Sequence, residues 1–356
     1  MNICMDIRLE AFLTQVANVI QQASLKFLEA TNMMLITKIE LDDQKVFAYK
    51  GVNPGNHPFV KVGDDVFPDE ATKHAVLCCN AQFLPLAYMH PLFARMIRSK
   101  YSCISPRLTR READSTLAKA VEIHEVIVKM KPAPQTVIIL AEDGTETKNW
   151  PADGLALLRI TSKQSEKRWY INLSGAEFGL TQSIFSANDF ESNHMQALYA
   201  VFDFGKCRQY ILTCSAMEGW YAHTQRIGLQ ASSRMKAALL IFLQQRGNDL
   251  LSLRKRSMTD MTTWTQPLVE ALSRAVLGYI PNYDVSGLMS QITYEPESVT
   301  RYMERRRLHY ASILGDAMTN EEKENPPDVT LHLAPIEQQR NGPGEDMVVE
   351  EFESFS

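Results

Sequence analysis

The sequence lacks a long hydrophobic run, a paired-cysteine motif and a phosphate-binding loop. Its longest apolar stretch, residues 237–243, is far too short to cross a bilayer. Six cysteines occur without C-x-x-C spacing, and two of them are adjacent, which suits neither a zinc knuckle nor an ordinary disulfide. Residues 51–56 are rich in Gly and Asn but lack the Lys-Ser/Thr pair of a phosphate loop. We therefore expect no metal, no cofactor and no association with a membrane.

The first residues also lack the features of a secretory signal. Residues 1–8 have neither the basic start nor the apolar core of a signal peptide. Together with the unpaired cysteines, this predicts a reduced, intracellular protein of the cytoplasm or nucleus.

Charge is unevenly distributed along the chain. The net charge is −5, yet residues 319–356 carry ten acidic and two basic side chains, so the remainder is slightly basic. This last segment contains Pro-Pro and Gly-Pro-Gly and is predicted to be an acidic, disordered tail. A near-neutral body with an acidic tail does not indicate nucleic-acid binding, so we expect a protein partner.

Hydrophobic periodicity predicts a mixed α+β fold with four segments. These are an N-terminal helix and hairpin (1–67), an α+β core (68–225), a helical region (226–318) and the tail (319–356). Helices are predicted at residues 4–30, 68–79, 84–97, 110–130, 192–199, 230–244, 261–277 and 302–318. Strands are predicted at residues 33–41, 44–49, 135–141, 154–161, 169–173 and 209–214.

One strand carries a resemblance to known proteins. Residues 169–179 read W-Y-I-N-L-S-G-A-E-F-G. This stretch resembles W-x-I-D-L-T-x-x-Q-F/Y-G, a strand of papain-like and transglutaminase-like proteins, in particular of fungal proteins with MYND-type zinc fingers. The resemblance implies a papain- or transglutaminase-like core. In those families the aspartate orients a histidine on the preceding strand, which activates a cysteine near the start of an earlier helix.

The chain departs from that pattern at the residues that matter for catalysis. Asn172 stands at the aspartate position, although an amide can also orient an imidazole. The preceding predicted strand, 154–161, contains no histidine, and no MYND finger is present. Without a base, a thiol near its ordinary pKa is only slightly ionised at neutral pH. The sequence therefore predicts a degenerate member of the family.

The candidate catalytic residues are Cys78, Cys79, His124 and Asn172. The two cysteines lie in an apolar, helix-like stretch, so the alternative is that they are small buried core residues. His124 falls on the apolar side of the predicted helix 110–130, where a core histidine is the alternative to a catalytic base. His74, four residues before Cys78, is a further possible partner of that thiol.

Two classes of function remain open from the sequence. The first is a non-catalytic interaction or accessory protein, which the resemblance extends to a fungal accessory factor. The second is a cysteine-dependent amide hydrolase or acyltransferase that uses Cys78 or Cys79 with Asn172 as the orienting residue. Binding of a small apolar metabolite in the helical half is a third possibility, supported only by the abundance of methionine and aromatic residues.

Overall fold

The predicted mixed α+β class is confirmed by a computed structural model of the chain. It describes residues 2–53, 57–79, 81, 83–98, 120–147, 154–215, 220–245 and 258–280. Within these residues lie seven α-helices: α1 (Asn2–Ala30), α2 (Glu70–Cys78), α3 (Leu84–Arg98), α4 (Ala187–Asn193), α5 (Lys206–Ser215), α6 (Trp220–Gln245) and α7 (Met258–Leu277). Short 3-10 helices cover Asp64–Val66 and Gly175–Phe178.

The strands of the described residues form two sheets. They are β1 (Leu35–Asp42), β2 (Lys45–Gly51), β3 (Val121–Met130), β4 (Thr136–Leu140), β5 (Glu146–Thr147), β6 (Gly154–Ser162), β7 (Arg168–Asn172), β8 (Ile184–Ser186) and β9 (Met195–Asp203). The first sheet has the order β1-β2-β4-β5, with β2 and β4 parallel. The second has the order β8-β7-β6-β3-β9 and all of its pairs are antiparallel.

Both faces of the five-stranded sheet are covered by apolar side chains. One face carries Ile127 and packs into the main core, to which α1, α3, α5, α6 and α7 contribute. The other face carries Val126 and Val128 and packs into a smaller core with Phe190 of α4. A third cluster joins α2 to the first sheet. Successive residues of β3 are therefore buried on opposite sides of the sheet.

Several local predictions are confirmed. The structure has helices at α1, α2, α3 and α7, the β1–β2 hairpin, strand β4 and the β6–β7 hairpin close to the predicted positions. The helix predicted at 230–244 is also present, but α6 begins ten residues earlier, at Trp220. Asp69 caps α2, where its side chain accepts a hydrogen bond of 2.7 Å from the Thr72 amide. Pro91 lies inside α3, which runs past it as one helix rather than two.

The predicted helix 110–130 is wrong over its last part. Residues 121–130 form β3, a central strand between β6 and β9, and residues 110–119 lie outside the described part. The run Val126–Val128 is buried on both faces of the sheet. A continuous apolar stretch of that kind also matches a helical period, and here its β-branched residues belong to a strand.

Two predictions after β8 are also wrong. The predicted helix 192–199 is instead the end of α4 followed by β9. The predicted strand 209–214 is part of α5. Contacts distant in sequence account for both, since β9 pairs with β3 and the start of α5 is bound by Glu125.

Contacts cross the expected segment boundaries. The pairing of β2 with β4 joins residues on either side of position 67, and α1 shares the main core with α7. The division into four segments stays a prediction. The predicted helix 302–318 and the acidic tail 319–356 lie outside the described residues.

Candidate functional site

Asn172 ends β7, and its side chain is fully engaged with backbone groups. Its Nδ2 donates to the carbonyl oxygens of Leu180 and Gln182, both at 3.0 Å. Its Oδ1 accepts from the Gly175 amide at 2.6 Å. These bonds fix both ends of the β7–β8 connection, which we define as residues 173–183. Asn172 thus organises a turn, and no imidazole bonds to it in the described structure.

Gly175 is required by the close approach of that amide. A Cβ at this position would lie 2.6 Å from Asn172 Oδ1 and 2.8 Å from its Nδ2. The Asn172 carbonyl also accepts from Gln21 Nε2 of α1 at 3.1 Å. Residues 169–179 therefore form part of a packed junction between β7 and α1.

The position opposite Asn172 is apolar. The β6–β7 register pairs Leu157 with Asn172, and β6 contains no histidine. The resemblance places the catalytic histidine on this preceding strand. The departure seen in the sequence is therefore also a departure in space.

Cys78 and Cys79 lie at the end of α2, whereas the resemblance expects a cysteine near a helix start. Both are buried, which agrees with the alternative that they are small core residues. Burial raises the pKa of each thiol, and the charge of Glu177 raises it further. The backbone of Ala176 opposes the shift at Cys78 without reversing it. A thiol in these surroundings is a poor nucleophile.

Glu177 was not selected from the sequence, where it forms part of the exit from a strand. Its side chain is 2% exposed, and neither carboxyl oxygen has a hydrogen-bond partner in the described structure. Burial alone holds the pKa of this carboxyl well above its usual value. The one signal in the sequence was an acidic residue between the apolar residues Ala176 and Phe178.

His124 lies on β3, not on a helix, and the other candidates do not contact it. Its Nε2 is 3.6 Å from a carboxyl oxygen of Glu122, and its Nδ1 has no hydrogen-bond partner in the described structure. Cross-strand neighbours of His124 are Arg159 and Asp203. The described structure therefore shows no bonded arrangement that joins His124 to Cys78, Cys79 or Asn172.

His74 is engaged elsewhere. Its Nε2 lies 3.4 Å from Glu70, one turn earlier on α2. Burial lowers the pKa of the His74 imidazole, and the neighbouring carboxylate of Glu70 opposes this shift. The pairing of His74 with Cys78 stays a prediction. The sequence also contains Cys103, which lies outside the described residues.

A second buried carboxyl, Glu125, was also missed. Its two oxygens accept from the amides of Gly205 at 2.9 Å and Cys207 at 2.7 Å, at the start of α5. Burial raises the pKa of Glu125, and the bonds from Cys207 and Gly205 oppose that rise. Gly205 has φ of +99°, a conformation that favours glycine. This carboxylate satisfies a helix N-terminus that would otherwise be buried without partners.

Comparisons with known proteins do not assign the chain. No protein-family model, curated protein or solved structure matches it. Over the described residues, no group of three or more His, Cys, Asp or Glu side chains is placed to hold a metal ion. The described helices include none that combines the length and apolar character needed to cross a membrane.

Proposed function

We propose that the chain is a non-catalytic protein-binding factor, a degenerate relative of papain- and transglutaminase-like proteins. The observation that carries this proposal is the use of Asn172. All of the hydrogen bonds that its side chain makes in the described structure go to the β7–β8 connection, and none goes to a histidine. The resemblance of residues 169–179 extends the proposal to an accessory factor of the fungal type.

The position of the thiols supports the same function. Cys78 and Cys79 face a buried carboxyl rather than an imidazole, and a neighbouring negative charge disfavours a thiolate. A cysteine hydrolase needs the opposite arrangement, in which a base withdraws the thiol proton within hydrogen-bond reach. The hydrolase or acyltransferase alternative would require a cysteine thiol, an imidazole and the Asn172 side chain to move into contact with one another.

A suitable surface for a partner is the β9 edge of the five-stranded sheet. In the described structure β9 pairs only with β3, which makes it an edge strand of this sheet. Leu198 and Val201 are 41% and 43% exposed, and Asp203 is the single charged residue of the strand. Such an edge fits an extended peptide that adds as a further strand.

The edge of the other sheet provides a contrast. Strand β1 reads L-I-T-K-I-E-L-D and carries three charged side chains, which is a common protection against unwanted pairing. We therefore assign the partner to β9 and its chemistry to an extended segment with apolar residues at alternate positions. The stretch of β9 from Ala200 to Asp203 pairs with β3 without a register shift, so it offers a regular template.

Quantitative co-purification with three variants tests this function. Leu198→Lys/Val201→Lys should lose its specific partners at least tenfold, because two charges would be placed against the apolar partner strand. Cys78→Ala/Cys79→Ala should retain them. Val52→Lys is the matched control, since Val52 is 71% exposed and lies away from this sheet.

The opposite pattern would overturn the proposal. If the cysteine variant remains folded but loses the partners that the β9 variant retains, the thiols and not the sheet edge carry the function. Formation of a covalent acyl adduct on Cys78 or Cys79 would favour the hydrolase or acyltransferase alternative instead.

A further inference from the structure

The Glu177 side chain is an unpaired carboxyl placed against two thiols in the protein interior. The 3-10 helix Gly175–Phe178 packs on α2, which ends at Cys78. The Glu177 charge disfavours ionisation of both thiols, and Cys78 also interacts with the Ala176 backbone. A buried carboxyl without any hydrogen bond is costly to ionise. Its ionisation would therefore destabilise the contact between the 3-10 helix and α2, which covers the thiols.

The charged side chains of the neighbouring elements do not compensate the charge of an ionised Glu177. On α2, Lys73 is bound to Glu29 and Asp64, and His74 lies beside Glu70. Strand β4, which also packs against this 3-10 helix, reads T-V-I-I-L and has no ionisable side chain. Cys78 and Cys79 are thus the titratable groups that face Glu177 in the described structure, and neither offers a positive charge.

The segment that carries Glu177 is short and can move without unfolding a strand. Two backbone hydrogen bonds of 3.0 Å close it, from the Gly179 amide to Ala176 and from the Leu180 amide to Gly175. Gly179 is exposed and has φ of +75°. Since Asn172 holds Gly175 and Leu180, opening between them requires the turn around Glu177 to release and Phe178 to leave the smaller core.

We infer that Cys78 and Cys79 form a protected thiol-modification site and that ionisation of Glu177 opens it to soft electrophiles. With the carboxyl protonated, the 3-10 helix covers both thiols. With the carboxylate formed, the turn opens so that the charge reaches water, and the thiols become accessible. In the reaction with iodoacetamide, a thiolate attacks the CH₂ carbon, an S–C bond forms, iodide leaves and the thiol proton passes to solvent.

Proton linkage determines how strongly the ratio of open to closed molecules depends on pH. In the open form Glu177 has an ordinary carboxyl pKa near 4.5, and in the closed form its pKa is higher. Between those two values, each pH unit multiplies the ratio of open to closed molecules by about ten. Above the pKa of the closed form the ratio no longer changes.

Residue-resolved alkylation tests the inference. The full chain is treated with limiting iodoacetamide from about pH 5 to pH 9, and each cysteine is quantified by mass spectrometry. Rates are divided by those of the unfolded chain at the same pH, which removes the ordinary ionisation of the thiol. We expect the protection of Cys78 and Cys79 to fall about tenfold per pH unit in the wild type and to be flat in Glu177→Gln.

Two controls make the outcome decisive. Cys214 is buried in the main core, whereas Cys78 lies in a separate cluster with Ala176, so the protection of Cys214 should not follow the same pH dependence. An equal slope in the wild type and in Glu177→Gln, or a flat wild-type profile, would overturn the inference. If Glu177→Gln does not fold, amide hydrogen exchange of residues 175–180 in the wild type must show the same tenfold slope, and a constant protection there would overturn it.

Discussion

Two buried glutamates in this protein lie beside cysteines but in opposite surroundings. Glu125 accepts hydrogen bonds from two backbone amides at the start of α5. Glu177 is equally inaccessible and accepts none from the described residues. Burial raises the pKa of both carboxyls, but only at Glu125 do hydrogen bonds oppose the rise.

The difference shows that burial alone does not define the role of an acidic side chain. At Glu125, ionisation and structure support each other, because the carboxylate satisfies donors that the helix cannot satisfy itself. At Glu177, ionisation and structure compete, since the charged form has no donors. Glu125 stabilises a helix, whereas Glu177 makes the stability of a largely buried turn dependent on pH.

The largest expected effect is the loss of the Glu125 carboxylate. Glu125→Ala would leave the amides of Gly205 and Cys207 buried without partners, so we expect a loss of about 4 kcal/mol in the free energy of unfolding. Chemical denaturation measures it. Glu122→Ala, an exposed change on the same strand, is the control and should cost less than about 0.5 kcal/mol. Equal effects of the two changes would remove the role assigned to Glu125.

A carboxylate at position 172 would reproduce the situation of Glu177. Asn172→Asp restores the residue type of the family, yet it would face the carbonyl oxygens of Leu180 and Gln182 with a charge and no proton to donate. We expect a loss of about 3 kcal/mol at neutral pH. Asn188→Asp, an exposed change in the first turn of α4, should be nearly neutral. A neutral Asn172→Asp variant would contradict the structural role of this amide.

Lys73 supplies the comparison for a buried charge that does have partners. Its Nζ lies 2.9 Å from Glu29 and 2.6 Å from Asp64, with the Lys73 side chain 3% exposed. Lys73→Met would remove the Lys73 cation from Asp64 and leave Glu29 with Lys26 alone, and we expect a loss of about 2 kcal/mol. Lys38→Met removes an exposed ion pair and should change stability by less than about 1 kcal/mol. Thermal unfolding at two salt concentrations distinguishes the two sites.

At Glu177 we expect a gain in stability rather than a loss, and its size depends on pH. A folded-state pKa above the unfolded value means that this carboxyl stabilises the fold fully only below the unfolded pKa, near 4.5, and that the contribution is lost as pH rises. Glu177→Gln removes this dependence. Relative to the wild type, the variant should therefore gain about 1.4 kcal/mol for each pH unit above that value, up to the folded pKa.

Much of the fold could be predicted from the sequence, wherever an element has a clear helical period or is bounded by a clear turn. The helix α1 and the β6–β7 hairpin have a clear period or a clear turn, and both are confirmed. The failures share a physical cause. Strand β3 is buried on both faces, and α5 begins on the Glu125 carboxylate, which lies 80 residues earlier than Gly205. Neither the burial of β3 on both faces nor the contact between Glu125 and α5 produces a periodic pattern in the local sequence.

The candidate residues were found more easily than their roles. The burial of Cys78 and Cys79 follows from their apolar stretch, and the structure confirms it. The use of Asn172 depends on carbonyl oxygens eight and ten residues later, whose direction no sequence pattern specifies. Glu177 was not among the predicted site residues, because a single acidic residue after a strand normally faces solvent.

The most direct test of the contrast between the two glutamates is the free energy of unfolding of Glu177→Gln and Glu125→Gln at pH 7, each against the wild type. We predict opposite signs. Glu177→Gln should be more stable than the wild type, because it removes the cost of burying a carboxyl that is ionised in the unfolded chain. Glu125→Gln should be less stable, because its Nε2 would face an amide donor. Two changes of the same sign would contradict the account.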